Sequence, residues 1–177
     1  MSRSDLTPFS YVVLALVGRH GAGAHDIAAM MARSPVYWTA ARSQWFAEPK
    51  RLEALGLLAG QRGPGRTRAR THYTLTDSGL EVLRTWLAQP AHFTRMQNEA
   101  AIRLLAGDLI DDHTIVQSLR GLRNELDQLE ASLAESAHLA QEIPARTRYL
   151  ELSHSLARRL LAAHRDWIDE IEHELGD

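Results

Sequence analysis

Residues 60–79 read GQRGPGRTRARTHYTLTDSG, and the way this stretch folds decides how the rest of the chain is read. Gly63-Pro64-Gly65 is turn chemistry, with glycine for the unusual backbone angles and proline for the fixed one. The flanking runs LLAGQR (57–62) and THYTLT (71–76) have the character of two short strands, so a hairpin with its tip at 63–65 is predicted. Ser78 and Glu81 then stand at capping-box spacing and open a helix. The hairpin carries Arg62, Arg66, Arg68 and Arg70 within nine residues. On an extended strand Arg66, Arg68 and Arg70 point to one side about 6.6 Å apart, and such guanidiniums repel one another unless anions lie opposite. A DNA backbone offers such anions continuously, so the four arginines are predicted DNA contacts.

Upstream, Thr7-Pro8 is a helix start, and Phe9, Val12, Val13, Leu16 and Val17 follow at helical spacing until the glycines from Gly18 onward. A second helix is predicted over 25–33, with Ile27, Met30 and Met31 inward. A third covers 42–55, carrying Trp45, Phe46, Leu52 and Leu55 and stopped by Gly56. Beyond the hairpin, Leu80, Leu83, Trp86 and Leu87 form the buried stripe of a fourth, closed by Pro90. Three helices, a two-stranded hairpin and a helix are the order of a winged helix-turn-helix. The N-terminal residues of its recognition helix meet base edges in the major groove, which nominates Arg42, Ser43 and Gln44. Arginine suits the guanine edge and glutamine the adenine edge, since both pairings are bidentate. Lys50, further along, is a candidate backbone contact or a solvated charge, and Trp38 and Trp45 are read as packing residues.

The segments WTAARSQWFAEPKRLEALGLLAGQR and THYTLTDSGLEVLRTWL resemble the PadR family of bacterial transcriptional regulators. Ser43, Gln44, Phe46, Leu52, Glu53 and Gly56 match the family's recognition-helix pattern; Tyr73, Leu75, Thr76 and Gly79 match the segment after the wing. The resemblance is specific over about residues 7–90 and architectural beyond. It implies a DNA-binding regulator, more often a repressor, with a C-terminal helical dimerisation region and an effector pocket for phenolic acids or planar drugs. One position departs from the pattern: Pro49 stands where the family has leucine. A proline inside a helix removes a hydrogen bond and costs about 3 kcal/mol, so a kink near Phe46 or a restart at Pro49 is expected.

From Asp111 onward two long helices are predicted, with Pro144 between them and a shorter one, AAIRLLAGDLI (100–110), before them. Ile115, Leu119, Leu122, Leu126, Leu129 and Leu133 are spaced 4, 3, 4, 3 and 4, a heptad seam. The last helix carries Leu152, Leu156, Leu160, Ala163, Trp167 and Ile171. Each fully buried leucine contributes about 1.5–3 kcal/mol, so this seam is expected to seek a second copy of the chain. The predicted dimer surface is the seam together with Leu156, Leu160 and Trp167. Charge supports a division of labour: residues 1–90 hold 11 basic against 6 acidic residues (+5), residues 91–177 hold 9 against 16 (−7). The expected architecture is mainly α with a small β-hairpin wing. It joins an N-terminal winged helix-turn-helix (1–90, DNA-binding) to C-terminal long antiparallel helices (91–177, a dimerisation domain able to take an effector).

Among the 177 residues there is no cysteine, which excludes disulfides, thiolate metal sites and cysteine nucleophiles. The nine histidines show no metal spacing, and no P-loop, dinucleotide fingerprint, HExxH or GxSxG is present, so neither a cofactor nor an enzyme is expected. Tyr149, His164 and Trp167 are the candidate contacts for a small aromatic effector. The apolar run Tyr11–Val17 is too short for a membrane span and is read as a core helix, giving a cytoplasmic protein with double-stranded DNA and its own copy as partners. The rival reading is a protein-interaction scaffold, a winged helix with a coiled-coil tail that ignores DNA.

Overall fold

A computed structural model describes residues 6–18, 20–33, 36–63, 70–93 and 96–176. The chain divides into two compact units, one of Met1–Ala32 and Trp38–His92, the other of Arg33–Tyr37 and Phe93–Asp177.

The first unit is a winged helix: α1 (Pro8–Val17), β1 (Ala22–Gly23), α2 (Ala24–Ala32), α3 (Arg42–Ala54), β2 (Leu58–Gly63), β3 (Arg70–Leu75) and α4 (Asp77–Leu87). Thr7 caps α1 through a reciprocal pair of hydrogen bonds with Ser10, and Pro8 sits at the first helical position, where no donor is lost. The sheet order is β1-β3-β2, all antiparallel, with Leu58 opposite Leu75 and Gly63 opposite Arg70. The two-residue strand β1 pairs Ala22 with Tyr73 and has no sequence signal of its own. The core gathers Val13, Leu14 and Val17 from α1, Ile27 from α2, Trp45 and Leu52 from α3, Leu57, Leu58 and Tyr73 from the sheet region, and Leu83 from α4. Phe9 stacks on Trp38 and meets Trp45 edge-on, so both tryptophans are packing residues. Met30, Trp86 and Leu87, expected inside, are exposed.

The end of α3 and the start of α4 interlock. Gly56 takes a positive φ of 71°, which an L side chain resists, and lets Leu57 N–H reach back to the Leu52 carbonyl. Thr76 donates through its hydroxyl to the Gly56 carbonyl at 2.7 Å and accepts from Gly79 N–H at 3.0 Å. Thr76, not Ser78, is thus the cap of α4. Gly79 rests on Leu57 so closely that a Cβ there would lie 2.0 Å from the Leu57 carbonyl oxygen. The Leu52–Gly56 and Thr76–Gly79 pairs of the two sequence motifs are the two halves of this joint.

Pro49 is accommodated without a restart, as α3 runs unbroken through it. Its ring is fully buried in the core side of the helix, so apolar contact offsets the lost hydrogen bond. Two residues on, Arg51 binds Glu48 at 2.6 Å and the buried Ser10 hydroxyl at 2.8 Å, tying α3 to α1. Burial alone would raise the Glu48 carboxyl, but hydrogen bonds from Arg51 and Ser10 and the Arg51 charge outweigh it and hold the group below its ordinary pKa.

The second unit is helical: α5 (Glu99–Leu105), a 3-10 turn (Gly107–Leu109), α6 (Asp112–Ala140) and α7 (Pro144–Leu175). Pro144 is at the first turn of α7, which returns antiparallel along α6. Here the sequence expectation needs correction. Ile115, Leu119, Leu126 and Leu133 are buried inside one chain, the last two against Ala157, Leu161 and Ile168 and the first two with Ile171. The seam finds its partner in α7, so it does not by itself call for a second chain. Leu122, Leu129 and Trp167 pack half-buried at the margin of the same cores. The buried residues of α7 are His154, Ala157, Leu161, Ile168 and Ile171; Ala157, Leu161 and Ile168 each lie one residue past the predicted Leu156, Leu160 and Trp167, and Leu152 and Leu156 are 64% and 53% exposed. Ion pairs flank the α6–α7 contact: Arg123 with Asp169 and Glu172, and Arg165 with Asp127 and Glu130.

Two outcomes test the first unit. Gly→Ala in an open helix stabilises by about 1 kcal/mol. Gly79→Ala is instead expected to destabilise by about 1–3 kcal/mol, read as a lower urea midpoint; a raised midpoint would contradict the joint. A carboxyl held below its unfolded pKa adds stability above that pKa and loses it as pH falls through the folded value. Glu48→Gln should therefore be less stable than wild type at neutral pH, with the gap closing below about pH 4.

Candidate functional site

At about 100° per residue, Arg42, Ser43, Phe46, Ala47 and Lys50 share one side of α3, away from the buried Trp45, Pro49 and Leu52. Arg42, Ser43, Ala47 and Lys50 are exposed, and the Arg42 guanidinium lies over the Phe46 ring at 5.9 Å. Gln44 is off this side. Its Oε1 accepts from the Ala41 N–H at 2.9 Å, so its amide completes the N-terminus of α3. The predicted base-reading trio therefore divides: Arg42 and Ser43 sit on the open side, and Gln44 serves the backbone.

The hairpin divides too. Arg62 pairs with Thr71 on the face that carries Leu58 and Tyr73, whereas Arg70 pairs with Gly63 on the opposite face with His72. Arg62 shares a small cleft with Lys50 and Glu53 of α3 and with Gly60, Thr71 and Tyr73. The hairpin stem thus places one cation beside α3 and one on the far side. Arg66 and Arg68 lie outside the described residues.

A second candidate site lies wholly in the helical unit, a cleft of about 670 Å³ between α5, α6, α7 and the Val36–Tyr37 segment. Its floor is leucine: Leu119, Leu122, Leu126, Leu129, Leu160 and Leu161. Of the predicted effector contacts, His164 lines it, Tyr149 is 70% exposed elsewhere, and Trp167 packs in the α6–α7 cores. His164 Nδ1 lies 2.7 Å from the Leu160 carbonyl, which can only accept, so Nδ1 carries the proton and Nε2 accepts from the Asn98 amide at 3.2 Å. Asn98 meanwhile caps α5 through its Oδ1 to Ala101 N–H. Sequence reasoning missed Asn98: the cap signal was legible before Glu99, but its partner is 66 residues away. At the rim Arg103 is paired with Glu99 at 2.6 Å, while Glu125 has no ion-pair partner among the described residues.

Among the described residues no three His, Asp or Glu side chains assemble as a metal site, and no helix is long and apolar enough to cross a membrane.

The fold is that of PadR-like winged-helix regulators. The chain is similar to the PadR-like transcriptional regulator BC1756 from Bacillus cereus (19% identity, 99% of each chain covered, TM-score 0.79). It is also similar to Bacillus subtilis PadR in complex with operator DNA (20% identity, 96% of this chain and 99% of that one, TM-score 0.73). The same protein in complex with p-coumaric acid matches at 20% identity over 96% and 99% of the two chains, with a TM-score of 0.65. No family model matches the sequence, and no curated protein does.

Proposed function

We propose that this protein is a transcriptional regulator that binds an inverted-repeat DNA operator as a homodimer, acts as a repressor, and is released by a small molecule. The observation that carries the reading is the open side of α3, where Arg42, Ser43, Ala47 and Lys50 stand clear of the core beside Arg62 of the wing stem. Such a helix fits the major groove, with Arg42 and Ser43 toward base edges and Lys50, Arg62 and Arg70 toward phosphates. Gln44 would have to give up its bond to the Ala41 N–H to read adenine. Arg66 and Arg68 complete the phosphate set in this reading. The operator complex of a protein with the same fold supports it, and its p-coumaric acid complex supports an effector. The similarity to transcriptional regulators supports a non-enzymatic role, and a DNA-binding role supports a cytoplasmic location.

The dimer surface is moved from the α6 seam to what α6 and α7 leave uncovered. Ile102 and Leu105 of α5, Leu109 and Ile110 after it, and Tyr149, Leu152 and Leu156 of α7 are exposed. Exposed apolar side chains on this unit support an interaction surface, and a second copy of the chain is the partner this reading assigns to it.

Genomic fragments retained by the protein should share an inverted repeat. Four wing arginines per subunit make up to about eight phosphate contacts per dimer, which predicts a slope near −7 for log K against log[salt]. Arg62→Ala with Arg70→Ala should flatten that slope by about 4; a wild-type slope shallower than about −2 would remove the wing from the interface. Leu152→Glu with Leu156→Glu should give a folded monomer by light scattering with an unchanged helical spectrum. A double variant that stays dimeric would contradict the relocated surface.

A further inference from the structure

Three observations in the helical unit converge on the segment that precedes the recognition helix. Ser136 of α6 donates to the Arg33 carbonyl at 3.0 Å. Tyr37 donates its hydroxyl to the Ser153 carbonyl of α7. Val36 packs on the Leu126–Leu133–Ala157–Leu161–Ile168 core. These residues therefore belong to the helical unit although they connect α2 to α3, and five residues after Tyr37 α3 begins at Arg42. Val36 and Tyr37 are also walls of the leucine-floored cleft. A ligand seated against that wall touches the chain that feeds the recognition helix.

The charge of the cleft restricts the occupant. Arg103 is neutralised by Glu99, His164 and Asn98 satisfy each other, and Glu125 is the one lining charge without a partner among the described residues. A carboxylate entering there meets an uncompensated negative charge and no free cation among the described lining residues, whereas an ammonium meets a counter-ion. The six leucines that line it want a flat apolar body, and about 670 Å³ holds one or two rings.

We propose that this cleft is a regulatory site for a small aromatic molecule with a cationic head, and that its occupancy is transmitted to DNA binding through the Arg33–Tyr37 connector. The transmission rests on the DNA-binding reading given above; the ligand preference does not. A connector hydrogen-bonded at both ends to α6 and α7 has a docked arrangement to lose, and a ligand that binds one arrangement better shifts the other site by the same factor.

The test uses the full-length protein and a matched pair of phenols, tyramine and p-coumarate, which present the same ring with opposite charge. By calorimetry tyramine should bind about tenfold or more tightly than p-coumarate, and Glu125→Gln should bring the two within about threefold. Equal or better binding of p-coumarate to wild type overturns the ligand class. Tyramine should also change amide exchange in α3 and shift the DNA dissociation constant by about fivefold or more. Ser136→Ala, which does not line the cleft, should retain tyramine binding but lose at least about half of both responses. Binding with no response in α3, or responses untouched in Ser136→Ala, overturns the connector. Should the protein retain no DNA at all, the regulator reading fails, while the exchange measurement still decides the connector.

Discussion

The start of α4 lies directly on the backbone of Leu57, and the rest of the winged helix is built from that contact. Only a glycine at 79 permits it, because a side chain would collide with the Leu57 carbonyl. Thr76 then holds both sides, its hydroxyl donating to Gly56 at the end of α3 and accepting from Gly79 at the start of α4. With Leu57 leading straight into β2, the joint fixes α3 relative to the wing stem. The cleft shared by Lys50, Glu53 and Arg62 is a consequence. A small error in this joint would part the helix side chains from the wing cation, whatever their own chemistry.

In the helical unit burial supplies the stability and charge sets the register. The α6 leucines meet Ala157, Leu161 and Ile168 of the same chain, so the long pair is self-sufficient along its seam. Arg123 and Arg165 each grip two carboxylates across the pair. These pairs are partly exposed and each adds little, but they favour one sliding position of α7 over its neighbours. The apolar surface that remains lies on α5, after it, and on the early turns of α7.

The sequence was most legible where local chemistry and long-range packing agreed. Thr7-Pro8, Gly56 and Pro144 each impose a boundary by themselves, and the hairpin strands lie within a residue of their expected ends. Legibility failed where two local solutions compete. Ser78 and Thr76 are both capping residues, and only the Gly56 carbonyl, 20 residues away, selects Thr76. On α7, Leu152–Leu156–Leu160 and Ala157–Leu161–Ile168 are both apolar stripes, and which one turns inward depends on α6. The sequence spacing named Gln44 as a reader because its position is right, but its amide is also the residue that finishes the helix end. The docking of Arg33, Val36 and Tyr37 has no local signature, since Arg33 and Tyr37 find partners more than 100 residues on and Val36 packs on a core that begins at Leu126.

The most direct measurement is methylation protection of a genomic fragment that the protein retains. Dimethyl sulfate modifies guanine N7 in the major groove and adenine N3 in the minor groove, so it reports which groove α3 enters. Two protein-protected guanine patches about one helical turn, roughly 34–36 Å, apart are the predicted result. Bound DNA whose guanines remain fully reactive would contradict a recognition helix in the major groove.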